Sequence, residues 1–352
     1  MSRPPARLFP ASAAGRPLLG ISACLGGENV RYDGVALRHD WIVGTLARHV
    51  RLVPLCPEVA IGMGVPREPI RLVQHGNAVR AEGVRDSRLD VTAPLAAYGV
   101  RMAETHAALC GYLFKARSPS CGPAGVPLFR AGSALPGADG GGVYAAQWQA
   151  LRPELPVEEE GALGDPERWD RFVEGVFALH RWRTWMRGGA TAERMRGFHA
   201  AHRNVLLTRG RLALEALERR VARMESEPGT AHAAAGTAHA ASRTAHAASG
   251  TAHAASGTAA SYLLAFMEIV RRPAGRRGHL RALTALAAPL KLDRASRREL
   301  SAALEAFRRG QAPRLVPLTL LRHHLRRADE AAWRRDAYLN PLPHELALRG
   351  GM

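Results

Sequence analysis

The 352-residue chain carries 49 Lys and Arg against 31 Asp and Glu, a formal net charge of +18, and 47% of its residues are hydrophobic. That length accommodates two domains with sizeable cores. Four cysteines are too few for a disulfide scaffold and fit reduced thiols used as ligands or nucleophiles. No apolar stretch reaches the roughly 18 residues of a membrane span, and the first 16 residues lack the apolar segment of a signal peptide. A cytoplasmic protein with a disordered N-terminal tail over 1–16 is expected.

Residues 18–23 and 51–55 are β-like, 40–49 is short and helical, and 89–109 has a helical pattern. Residues 111–115 are strand-like again. This alternation predicts an α/β N-terminal domain with a mainly parallel sheet. Residues 132–142 read as a Gly-rich loop without the spacing or lysine of a phosphate loop, and 143–147 as a return strand. From Pro166 the pattern is helical throughout, over 167–186, 191–223, 261–271, 278–290, 296–309, 317–327 and 330–338. An all-α second domain over 166–349 is expected. A low-complexity insert at about 228–260 interrupts it, with Thr-Ala-His-Ala-Ala recurring from Thr230, Thr237, Thr244 and Thr251. Such repeats form flexible or marginally helical linkers, so deleting 230–257 should leave activity intact. The helix-like spacing of His232, His239, His246 and His253 leaves a metal site there as the lesser reading.

Charge is unevenly placed. Residues 1–160 hold 17 basic and 14 acidic side chains, net +3; the remainder holds 32 basic and 17 acidic, net +15. Only Lys115 and Lys291 are lysines. An Arg-rich second half suits a polyanion, because clustered guanidinium groups release phosphate counterions and clasp phosphate bidentately; a solvated surface is the plainer reading.

Cys24, Cys56 and Cys121 each follow an apolar run and land at a turn marked by Gly or Pro, where a strand of an α/β sheet ends and ligands gather. Three thiolates suit soft metals and leave one corner of a metal or cluster open. The spacings, 32 and 65 residues, are not those of zinc ribbons. Cys110, at the end of an apolar helical run, reads as a core residue or alternatively as a fourth ligand.

Three long motifs occur in order: Ser22-Ala23-Cys24-Leu25 with Val30-Arg31-Tyr32-Asp33-Gly34; the run from Cys56-Pro57-Glu58 to Arg67-Glu68-Pro69; and Lys115-Ala116-Arg117-Ser118-Pro119-Ser120-Cys121-Gly122. With Glu158-Glu159-Glu160 at its close, the segment 17–165 resembles the thiouracil desulfidase family. Residues 166–349 resemble the helical companion domain often fused to it, on His180-Arg181-Trp182, Phe198-His199, His202-Arg203, Val316-Pro317, Arg322-His323, Tyr338 to Pro341 and Glu345. Gly26 stands where the family usually has Leu, and Arg203 where the companion domain has Lys.

The resemblance implies a 4Fe–4S cluster held by Cys24, Cys56 and Cys121, with the fourth iron open to a thiocarbonyl sulfur. It implies non-redox desulfuration of thiolated uracil, most of all 4-thiouridine in tRNA converted to uridine with release of hydrosulfide. Glu58 is the expected general base or proton shuttle and Ser118 the residue that bonds substrate or orients water. Arg31, Asp33 and Ser120 are expected to contact substrate; an Arg31–Asp33 ion pair and an Arg67–Glu68 pair are structural alternatives. The expected partner is tRNA, gripped by the Arg-rich helices, or a small thiolated nucleobase or nucleoside. A non-catalytic reading remains beside these, a nucleic-acid-binding regulator whose cysteines hold zinc or a cluster with Cys110 as fourth ligand.

Overall fold

The computed structural model describes residues 15–226, 244–328 and 332–341, and residues 1–14 of the expected N-terminal tail and 228–243 of the insert fall outside them. Two compact units divide within one helix: Gly15–Phe177, and a second unit that starts at Ala178.

The first unit runs β1 (Leu18–Ser22), α1 (Asp40–Gly44), β2 (Arg51–Leu55), α2 (Pro57–Ala60), β3 (Ile70–His75), β4 (Ala78–Gly83), α3 (Thr92–Thr105), β5 (Leu109–Phe114), β6 (Val126–Arg130), β7 (Pro136–Gly140), α4 (Val143–Leu151), β8 (Val157–Glu159) and the start of α5 (Pro166–Trp185). Its main sheet has the order β2-β1-β5-β8, and all three pairings are parallel. β5 is buried at every position, which explains its unbroken apolar run: a parallel strand covered on both faces has no polar side to show. On one face Tyr112 meets Trp148 of α4 at 5.1 Å between ring centroids. On the other, a Cβ at Gly111 would lie 2.6 Å from Val176 of α5, so only glycine lets that helix approach.

A second sheet, β4-β3-β6-β7, was not legible in the sequence. It is antiparallel except for β3 against β6. Its apolar side, with Ile70, Leu72, Ala81 and Val126, packs on Val91 and Leu95 around α3. The residues expected as a Gly-rich loop contain β7, and the expected return strand at 143–147 is instead the first half of α4. Tyr144, Ala145 and Trp148 bury one side of that helix, a spacing that five residues read alone cannot distinguish from alternation.

The second unit is helical: the end of α5, then α6 (Ala192–Arg209), α7 (Arg211–Ser226), α8 (Thr244–Val270), α9 (Arg276–Ala287), α10 (Arg294–Arg308), α11 (Leu315–Arg327) and α12 (Ala332–Arg335). The helix expected over 191–223 is two, broken at Gly210, whose φ of 129° suits glycine. The final helix, expected over 330–338, is confined to α12 within the described residues. α6 is central: Phe198 packs on Trp182 and Phe266, and its buried His199 bonds Tyr262. The backbone of α9 presses on α6 so closely that a Cβ at Gly278 would overlap the Thr208 carbonyl. Part of the His/Ala repeat, from Thr244, belongs to α8. Among the described residues no helix is long and apolar enough to cross a membrane.

Candidate active site

Strand order places the site. β1 lies between β2 and β5, so the chain leaves β1 towards one side and later returns to the other. That reversal opens a crevice beyond the carboxyl ends of the central strands. Cys24 sits in the 3-10 turn Ala23–Gly26 directly after β1. Cys56 follows β2 and occupies the position before α2, with Pro57 at the first helical position. Cys121 lies in the loop after β5. Ser22 of β1 pairs in register with Leu55 of β2, and Ile21 with Leu113 of β5, so the three segments emerge side by side.

All three thiols line one cavity of about 340 Å³, together with Ser22, Arg31, Tyr32, Glu58, Arg67, Lys115, Arg117 and Ser118. Cys24 and Cys121 are buried and Cys56 half-buried, and none is in a disulfide. Burial first, and then the neighbouring Cys56, push the Cys24 thiol up to about 11. Burial also raises Cys56 and, further still, Cys121. Thiols in such a setting ionise when a cation takes the proton's place.

Among the described residues no three His, Cys, Asp or Glu side chains converge to hold a single metal ion. A cluster asks for something else, because each thiolate binds a different iron and the sulfurs stand around the group rather than at one point. Three soft donors spaced around one cavity fit a cluster better than a lone ion. Cys110 lies on β5, not at the end of a helical run, and is absent from the cavity lining.

A hydrogen-bonded chain ties Glu58 to the Cys121 loop. Ser120 Oγ donates to Glu58 Oε1 at 2.5 Å. Ser118 Oγ and Ser120 Oγ are 3.1 Å apart, and Ser118 Oγ accepts from the Cys121 N–H at 3.1 Å. Since the Ser120 proton is spent on the carboxylate, Ser118 is the donor between the two serines. Arg67 Nε donates to Glu58 Oε2 at 2.8 Å, and the same guanidinium bonds the carbonyls of Val30 and Gly64. Arg67 therefore pairs with Glu58 and not with Glu68, whose carboxylate accepts the Arg85 N–H.

The expected substrate contacts divide. Arg31 lines the cavity and grips Asp33 at 2.7 Å. Asp33 is not part of the lining; the Arg31 guanidinium, bonded to it, holds its carboxyl down at about 2. Ser120 is fully buried behind Glu58 and does not reach the cavity. Two residues gain importance only in the structure. Lys115 lines the cavity and its ammonium pairs with Glu160, at the carboxyl end of β8, which also accepts the Ala116 N–H at 2.6 Å. Both stand in the sequence motifs, but 45 residues separate them, and no local pattern links them.

Residues 19–160 match the family described as 2-thiouracil desulfurase, and residues 234–343 match a protein family of unknown function, DUF1722. No curated protein matches the chain. One solved structure, a [4Fe-4S]-dependent thiouracil desulfidase, TudS, is 29% identical over 43% of this chain and 95% of its own, with a TM-score of 0.33.

Proposed function

With residues 19–160 forming a 2-thiouracil desulfurase segment and 234–343 a DUF1722 segment, we propose that the protein is a desulfidase. It exchanges the sulfur of a thiolated uracil for oxygen, with 4-thiouridine in tRNA as its main substrate. The observation that carries this reading is that Cys24, Cys56 and Cys121, in the segments that follow three adjacent parallel strands, line one cavity together with Glu58.

The three cysteines would hold a 4Fe–4S cluster, which supplies a Lewis-acidic iron with affinity for soft sulfur. The reaction adds water to the ring carbon and releases hydrosulfide, so C=S becomes C=O with no net oxidation or reduction. Glu58 takes the proton from the attacking water. Arg67 and Ser120 fix the plane of its carboxylate, and the free lone pairs remain for the cavity. Ser118, at the cavity end of the serine chain, has its proton on Ser120 and one lone pair left, which accepts from the attacking water and orients it. A proton taken up by Glu58 returns to the departing sulfur.

The polymer substrate is supported by the helical unit. Arg277 and Arg281 of α9 and Arg294, Arg297 and Arg298 of α10 are all exposed, and such a surface gains affinity from phosphate counterion release. The zinc-regulator reading needs Cys110 beside the other thiols, and the cavity lining supports only three.

The test is hydrosulfide release by the full chain, purified without oxygen, from thiolated tRNA and from free 4-thiouracil. About four iron and four sulfide per chain with turnover is expected. One zinc per chain and no hydrosulfide would overturn the reading, and turnover of the free base alone would replace the substrate.

A further inference from the structure

Four cationic residues line the cavity: Arg31, Arg67, Lys115 and Arg117. Three of them have a carboxylate each. Arg31 pairs with Asp33, Arg67 with Glu58, and Lys115 with Glu160. Arg117 is exposed, and among the described residues it has no ion pair or hydrogen bond of its own. Arg117 is therefore the one cationic residue of the lining whose guanidinium is uncompensated.

The backbone at this position is as unusual as the charge. Arg117 has φ 58°, and among the described residues it is the sole non-glycine with a positive value. Glycine adopts that conformation at no steric cost, whereas a side chain clashes with its own backbone. Strain of this kind persists where the surroundings over-determine it, and it clusters where ligands bind. The surroundings here are tight on both sides. The Lys115 N–H donates to Ser22 Oγ at 3.0 Å and the Ala116 N–H to Glu160. On the far side the Gly122 N–H bonds the Ser118 carbonyl at 2.8 Å. Arg117 is the tip of a pinned turn that holds an arginine in a backbone conformation ordinarily left to glycine.

We infer that Arg117 is the anion anchor of the cavity, binding a phosphate attached to the thiolated pyrimidine and so selecting nucleotides over neutral bases and nucleosides. The inference rests on the desulfidase reading for the identity of the base. A planar guanidinium with its donors unspent matches phosphate oxygens bidentately. The neighbouring cations do not compete for the phosphate, since their charges are already met. A free 5′-monophosphate and an RNA phosphodiester present the same chemistry.

Binding of the product-like probes uridine 5′-monophosphate, uridine and a short uridine-containing RNA to the full chain tests this without turnover. Arg117→Gly suits the positive φ and should melt no lower than the wild type. It should weaken the monophosphate or the RNA by about 10- to 100-fold, with the ratio of phosphate-bearing ligand to uridine affinity falling by that factor. Arg117→Lys should restore part of it. Loss confined to the monophosphate identifies a terminal phosphate as the ligand; loss confined to RNA identifies a phosphodiester. Unchanged affinity for both, or an equal loss for uridine, overturns the inference. This binding pattern in a protein that releases no hydrosulfide from any thiolated pyrimidine would leave the anchor standing and remove the desulfidase reading.

Discussion

Ser120 Oγ donates to Glu58 Oε1 at 2.5 Å across 62 residues of sequence, joining the segment after β2 to the segment after β5. The bond sets the orientation of a carboxylate beside three thiols, although Ser120 itself is fully buried. Ser120→Ala should therefore lower kcat about tenfold with little effect on KM. Glu58→Gln, which keeps shape and removes the base, should lower turnover by about 10²- to 10⁴-fold while the absorbance of a bound cluster persists. Anaerobic rate measurements with parallel visible spectra decide it, and full activity in Glu58→Gln would remove the residue from the mechanism.

Arg67 and Glu58 expose only 5% and 13% of their side chains. Removing one partner of a buried pair strands the other charge, at a cost of about 3–5 kcal/mol. Arg67→Met should lose that much stability in urea titrations, whereas the double variant with Glu58→Gln should recover a measurable part.

Cysteine replacements separate the ligand set. Cys24→Ala, Cys56→Ala and Cys121→Ala should each lose most of the iron and acid-labile sulfide retained after anaerobic purification. Cys110→Ala should retain both, because Cys110 lies outside the cavity lining. Loss of iron in Cys110→Ala comparable with the other three would favour a closed four-thiolate site.

Gly142 supports the site from behind. A Cβ there would stand 2.6 Å from the backbone carbon and oxygen of Ser120 and 2.9 Å from the Gly122 nitrogen. Backbone cannot swing aside as a side chain does, so Gly142→Ala must displace the Cys121 loop. It should cost about 1–3 kcal/mol and reduce iron retention. Gly141→Ala, whose nearest contact is the Pro123 carbonyl at 3.5 Å, should do neither.

The helical unit should be acid-sensitive. Burial, with Arg181 nearby, lowers His202 to about 3, and burial with Arg203 lowers His199 to about 4. Unfolded histidine takes up its proton near pH 6.5, and the folded state refuses it until well below. Stability is thus complete above about pH 6.5 and falls as pH drops towards 4, by about 1.4 kcal/mol per pH unit for each of these histidines. Urea midpoints between pH 7 and 5 measure the slope, and His202→Leu should reduce it by about one proton.

Composition, periodicity and the three thiol motifs were enough to determine an α/β segment followed by helices, the strand-end positions of Cys24, Cys56 and Cys121, and the candidacy of Glu58 and Ser118. These are local matters: an apolar run ending at Gly or Pro is written in adjacent residues. The mostly antiparallel second sheet, the helical state of 143–151, the break at Gly210 and the absence of Cys110 from the cavity lining were settled only in three dimensions. So were Ser120 behind Glu58, Arg67 on Glu58, Glu160 on Lys115 and the unmatched charge of Arg117. Each of these is a relation between segments tens of residues apart. Which carboxylate meets which cation follows from the order β2-β1-β5-β8, and the side chains that share a strand end are chosen by that order rather than by their spacing along the chain.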